Sequence, residues 1–367
     1  MTPIVSPYAV SRWHATPAGW AAMRAKFLAA NSPPVLPTSM ADSIETDLSL
    51  ERRTALLKRP ALPTGCARID MHTMENPADR EGSPLVTFIL HPSAPWSGVC
   101  MLHVSGHVSH TEDWTQYAED PAPSDLKALI LPALAAGHMV IAADMPANGT
   151  QIGGRVTDPA AWTTIGGQVT AYDGNQYLAD ADGGAPSTRF FTDYLVRSMN
   201  QIEHDYAPTK WVMAGHSGGG NYVAILSTME PRFRWIGALH GGIPMTCWQG
   251  WLATGRVQRG DPEQRYASDA SPIYCGGGEA TDYSGLIMLS ASWPGRKTFV
   301  SHGTLDDTWT LTSVADLRAK YTEMNAHLLS TGNQIEMHET AEASNDHGIH
   351  ATEQAAASAS LEAALRD

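Results

Sequence analysis

Strand-sized apolar or alternating runs recur along the chain at residues 67–74, 85–91, 99–104, 139–144, 211–214, 235–240, 298–301 and 334–338. Runs this short, rich in Val, Ile, Leu, Met and Phe, predict strands that are half or fully buried. Among the later runs the apolar spacing changes to the helical period, over 124–137, 187–204, 219–229, 313–329 and 352–366. Ser124, Ser187 and Ser313 stand at the starts of three of these as N-caps. A few early strands followed by repeated strand–helix units predict an α/β fold: a mostly parallel, eight-stranded sheet with helices on both faces. In such sheets ligands bind beyond the carboxyl ends of the strands, so the chemistry is sought in the loops that leave them.

Residues 1–64 read differently. Helical patterns at 17–30 and 48–58 are separated by the Pro-rich stretch 32–39, and Thr16-Pro17 suits an N-cap followed by the first helical position. This preface is expected to be an N-terminal helical extension packed on a main domain spanning 65–367. Two segments of that domain, 147–186 and 241–296, are long and show no periodicity. Segments of this length form lids or binding walls. The second follows the sixth strand and carries Trp248, Trp251, Tyr266, Tyr274 and Tyr283, so a lid insertion is expected there.

Charge narrows the choice of partner. Across 367 residues, 24 Lys and Arg stand against 38 Asp and Glu, a formal net charge of −14. That excess argues against nucleic acid or an anionic membrane surface as the main partner, because both require clustered cations. Hydrophobic residues at 43% and charged ones at 17% are ordinary for a globular chain. No apolar stretch approaches the roughly 20 residues a membrane helix needs. The N-terminus lacks a basic start followed by an apolar run, so no secretory signal is read in this sequence. The compartment stays open between the cytoplasm and secretion with a signal removed, and oligomeric state is not legible. Four scattered cysteines form no CxxC pair, although Cys247 and Cys275 flank one irregular segment in which they could bridge.

The sharpest signal is Trp211-Val-Met-Ala-Gly-His-Ser-Gly-Gly-Gly220, a short strand running into Gly215-His216-Ser217-Gly218-Gly219. This is G-x-S-x-G between a strand and a helix, where glycines allow a turn tight enough to hold the serine in strained backbone geometry with its hydroxyl exposed. A phosphate-binding loop is the competing reading. It fails because there is no GK[ST] and no strand-proximal GxGxxG.

On these residues the chain resembles the α/β-hydrolase superfamily over 66–367. The resemblance implies a serine nucleophile, then an acid, then a histidine, each after a later strand. After the strand at 298–301 comes His302-Gly303-Thr304-Leu305-Asp306-Asp307, and the family's acid three residues past a glycine points to Asp306, with Asp307 as its competitor. After the strand ending near His338 comes Asn345-Asp346-His347-Gly348-Ile349-His350, where His347 matches the family's base and His350 is the alternative. A serine hydroxyl attacks only if an imidazole takes its proton, and a carboxylate must hold that imidazole's other nitrogen. The oxyanion then formed needs preorganised N–H donors. One is expected from Gly218; the other comes from Ser105, Gly106 or His107 after the strand at 99–104, with Gly106 and His107 favoured.

The spacing of His103, His107 and His110 admits a metal reading, but alternation along a strand directs His103 away from the loop histidines, and neither HxHxDH nor HExxH appears. No metal and no cofactor are therefore expected. The reading is a serine hydrolase of carboxylic esters working through an acyl-enzyme, on a small-molecule or saccharide ester, with acetyl and carbohydrate esters in view. Trp248, Trp251 and His216 are candidate substrate contacts, while the loop tryptophans serve equally well as a lid's own small core. Peptide or amide cleavage and acyl transfer use the same triad and remain the alternatives. A non-catalytic binding module is disfavoured by an intact Ser, Asp and His in the expected order.

Overall fold

Where the sequence runs apolar on both faces, the chain pairs into the middle of a sheet. A computed structural model describes residues 16–29, 35–57, 61–75, 85–106, 126–144, 163–165, 168–170, 189–244, 247, 283–306, 310–340 and 348–366. Every residue of β4 (Val99–Val104) and β5 (Met139–Ala143) is buried, as is all but the first residue of β8 (Lys210–His216) and β10 (Lys297–Gly303). Strands buried on both faces belong in a sheet covered on both sides, as parallel sheets are. With β9 (Phe233–Leu239) and β11 (Ile335–Thr340) they form its parallel part. β2 (Cys66–Met74) and β3 (Leu85–Pro92) extend it antiparallel.

The sheet has nine strands in the order β1-β2-β3-β5-β4-β8-β9-β10-β11, one more than the eight expected. The additional strand is β1 (Ser43–Glu45), which pairs antiparallel with the edge of β2, Ile44 opposite His72. Three mostly exposed residues show no alternation, so only the pairing makes them a strand. β6 (Thr163–Ile165) and β7 (Gln168–Thr170), an antiparallel pair inside a segment that reads as aperiodic, are likewise too short to show a period and are defined by their pairing.

Side-chain alternation divides the core between the two faces. On one side Leu102, Val104, Met213, Ile236 and Val300 meet α1 (Pro17–Ala29), α4 (Arg189–Tyr206), α5 (Gly218–Met229) and α6 (Tyr283–Ala291). On the other, Met101, Val212, Trp235 and Phe299 meet α2 (Leu50–Leu57), α3 (Leu131–Ala135) and α8 (Ala351–Arg366). A π-helical turn, Leu126–Ile130, leads into α3, and α7 (Val314–Leu328) lies between β10 and β11 in the chain. Two expected caps are in place: the Ser313 hydroxyl accepts from Asp316 N–H at 3.0 Å, and that of Thr16 accepts from Gly19 N–H at 3.1 Å.

Helix α6 lies within 241–296, where the sequence reads as lid. All nine of its residues are buried, and a helix apolar all round has no periodic stripe to betray it. It packs on α5, with Thr228 Oγ1 donating to Leu286 O at 3.0 Å and Ser290 Oγ to Ser227 Oγ at 2.7 Å. The buried guanidinium of Arg296 then ties this layer to the sheet, donating to Phe233 O at 2.9 Å, Ser290 O at 3.1 Å and Glu230 O at 2.6 Å. In the N-terminal segment, Trp20 is fully buried against the same cluster, and Arg24 lies 4.0 Å over the Trp293 ring. Among the described residues no helix is long and apolar enough to cross a membrane.

The strand order also locates a crevice. The chain steps from β4 back to β5, then crosses β4 to enter β8 on its other side. Connections leaving β4 and β8 therefore diverge, and a cleft opens at their carboxyl ends.

Close main-chain contact holds α5 in place there. A Cβ added at Gly219 would meet Val104 O at 2.0 Å, with no side chain available to move aside. Gly219→Ala is expected to lose about 3 kcal/mol or more, or to fail to fold. Gly332→Ala, at φ +72° with nothing within 4 Å, should lose only about 1–2 kcal/mol of backbone strain. Urea unfolding of both variants checks this, and equal losses would contradict it.

Candidate active site

Ser217 leaves β8 at the cleft with φ 54° and ψ −123°. A non-glycine residue at positive φ costs of order 1–3 kcal/mol and persists only where its surroundings over-determine it. Here they do. Its N–H donates to Leu239 O at 2.9 Å and its carbonyl accepts from Asn221 N–H at 3.1 Å. The flanking glycines are obligatory for the same reason: a Cβ on Gly215 would lie 2.4 Å from Gly219 O. Ser217 is the N-cap of α5, at the positive end of a helix whose first N–H groups have no partner within the helix. Gly106, leaving β4, presses on the same spot; a Cβ there would stand 3.1 Å from Ser217 Cβ and 2.8 Å from His216 O. Gly218 opens α5 beside the serine.

Asp306 occupies the turn after β10, 4% exposed. Its Oδ2 lies 3.1 Å from Nδ1 of His240, the residue that follows β9 and itself has φ 47°. The other ring nitrogen, Nε2, lies 3.1 Å from Oε2 of Glu353 on α8. Glu353 is anchored in turn: Oε1 accepts from Ser301 Oγ and Oε2 from His350 N–H at 3.3 Å. The His240 ring also meets the His216 ring edge-on, centroids 5.6 Å apart. Because β9 lies between β8 and β10, His240 stands between the serine elbow and the acid turn. Gly303 makes room, since a Cβ there would sit 3.1 Å from Asp306 Cβ and 3.2 Å from His240 Cε1.

Burial by itself lowers the pKa of His240, but the Glu353 and Asp306 carboxylates outweigh it and raise the pKa to about 10. Glu353 shows the mirror effect: burial favours its acid form, yet His240 and Ser301 bring its pKa below the usual range. His302, on β10 and bonded to Tyr321 Oη at 2.8 Å, is pushed down to about 3, chiefly by burial and further by the positive charge of His240. It is therefore neutral.

Of the expected site residues, Ser217, Gly218, His216, Gly106 and Asp306 lie at the carboxyl edge of the sheet. His347, Asp307, His107, Trp248 and Trp251 lie outside the described residues, as do His110 and Cys275. His350, the alternative base, begins the turn into α8, 8% exposed. His103 is fully buried within β4. Among the described residues no three His, Cys, Asp or Glu side chains converge as a metal site. A cavity of about 520 Å³ lined by Arg234, Lys297, Thr298, Asn333, Gln334 and Ser360 lies by the amino ends of β9 and β10, opposite the edge that bears Ser217. Sequence reasoning did not single out His240 or Glu353. The one local sign was a histidine ending an apolar strand before Gly241-Gly242.

No protein-family model matches the chain, and no curated protein matches it by sequence. Solved structures do match in shape. A putative acetyl xylan esterase from Bacteroides fragilis superposes with a TM-score of 0.54 at 14% identity, covering 89% of this chain and 76% of that one. Acetyl xylan esterase 1 from Thermoanaerobacterium sp. gives 0.51 at 13% identity, covering 95% and 94%. An S-formylglutathione hydrolase from Agrobacterium tumefaciens gives 0.51 at 12%, covering 83% and 97%. With the strand order and the strained serine turn, these likenesses show that the chain has the α/β-hydrolase fold.

Proposed function

We propose that the chain is a serine hydrolase of carboxylic esters, with acetyl and other carbohydrate esters as the first substrate class. The observation that carries this reading is Ser217, held at φ 54° at the end of β8 with Gly106 packed against it. Backbone strain at that position serves to project a hydroxyl. The names of the similar structures, an acetyl xylan esterase and one named as putative among them, support an ester as substrate.

In this mechanism Ser217 Oγ attacks the ester carbonyl while His347 takes its proton, and Asp306 orients the imidazole and stabilises its cation. Negative charge gathers on the carbonyl oxygen. The N–H of Gly218, at the start of α5, and that of Gly106 or His107 receive it. The alcohol leaves with the proton from His347, and water, activated by the same imidazole, releases the acid from Ser217. His216, Trp248 and Trp251 are assigned to the walls around the substrate, and no metal or cofactor takes part.

Ser217→Ala should lower kcat on p-nitrophenyl esters and acetylated sugars by about 10⁴-fold or more, with the fold unchanged by circular dichroism. Activity above roughly a tenth of wild type would remove Ser217 from the central role, being far above that loss. Asp306→Asn should cost about 10⁴-fold in turnover, by analogy with the serine proteases, and Asp307→Asn little. The opposite ranking in steady-state assays would move the acid by one residue.

A further inference from the structure

A histidine with no side-chain exposure, in left-handed backbone, bonded to a carboxylate at each ring nitrogen, is costly to build. Neutral imidazole carries one N–H. Whichever nitrogen lacked the proton would set its lone pair against a carboxylate oxygen at 3.1 Å, in a site with almost no solvent exposure. The donors around Glu353 mark it as ionised, since Ser301 Oγ–H and His350 N–H both point at its oxygens. With Glu353 held ionised, its pKa lowered by His240 and Ser301, the arrangement that satisfies both ring nitrogens is carboxylate, imidazolium, carboxylate. Its charge is −1 + 1 − 1 = −1.

Other described groups face His240 as well, and the charge of His216 is among the causes that lower the pKa of Glu353. From β8 comes the His216 ring; from β10 come Ser301 and His302, the latter neutral; from α8 comes His350, through its backbone N–H to Glu353.

We propose that His240 is a positioning residue for the acid of the triad: an imidazolium clamped between Asp306 and Glu353 that fixes one oxygen of Asp306, reserves the other for His347, and sets how strongly that carboxylate stabilises positive charge on the base. The proposal rests on the reading of Asp306 as the triad's acid. Glu353 acts at one remove, holding the proton on His240. Together the three groups present His347 with one net negative charge, which its own protonation in each turnover neutralises.

Opposite changes at the two ends of the clamp should therefore move the base in opposite directions. His240→Asn removes the cation; asparagine is chosen because it accepts left-handed backbone better than most residues. Asp306 then stabilises the protonated base more, and the acid limb of kcat/KM, which reports the free enzyme, moves up by about one pH unit. Glu353→Gln keeps an acceptor for Nε2–H and removes a negative charge, so the limb moves down by a similar amount. Turnover of His240→Asn should also fall roughly 10- to 100-fold, the loss typical of an outer hydrogen-bond partner at metal sites, with KM nearly unchanged.

A merely structural His240 would lower stability in both variants and leave both limbs in place, and that result overturns the proposal. In the wild-type protein, ¹⁵N shifts of the His240 ring should report protons on both nitrogens from pH 6 to 8; a neutral ring at pH 7 overturns it even if the variants do not fold. Ser217→Ala is assayed in parallel. Activity lost there with limbs unmoved removes this proposal alone, whereas activity retained removes the serine mechanism and the clamp's role in it.

Discussion

Helix α5 lies so close to the ends of β4 and β9 that main chain meets main chain with no side chain between. A Cβ on Gly219 would meet Val104 O, and one on Gly220 would meet Leu239 O at 2.7 Å and Gly241 Cα at 2.8 Å. This contact draws the chain into the turn that strains Ser217. It also aligns the loops leaving β4, β8 and β9 at one edge of the sheet, where Gly106, Ser217 and His240 come together. The strain is offset by a buried core on both faces, in which α5 itself has no exposed residue. Binding energy and backbone geometry are thus concentrated where the proposed chemistry needs a rigid nucleophile.

A second constraint is electrostatic. Three ionised groups sit at the same edge with almost no exposure, an arrangement stable only while each is bonded to its opposite. The net negative charge of the row is unusual in a core and natural beside a base that cycles through a cation. The elbow and the clamp share a strand: β9 receives the Ser217 N–H at Leu239 O and supplies the imidazole from the next residue. Displacement of the end of β9 would disturb both.

Legibility in the sequence followed how local each signal was. Each of the eight apolar runs became a strand with both ends within two residues of those read, and 99–104 coincides with Val99–Val104, where burial on both faces imposes an unbroken run. Strand β1 and the β6–β7 pair did not show, since three residues carry no period. Helix α6 did not show because its burial is complete. The Ser217 elbow was visible because its requirement is for backbone space, which only glycine provides, at fixed offsets from the serine. The partnership of His240 with Glu353 was not, because it joins residues 113 positions apart through the packing of a strand end on the last helix. No spacing rule reaches that far.

Everything proposed for the chemistry depends on Ser217 being nucleophilic where the strained turn holds it. The most direct measurement is to treat the native protein with a fluorophosphonate and locate the adduct by peptide mass spectrometry. One phosphonyl group per chain, on Ser217 and absent after heat denaturation before labelling, is the result expected from a hydroxyl activated by the folded site. An unlabelled Ser217 in folded protein, or an adduct carried by another serine, would contradict the account.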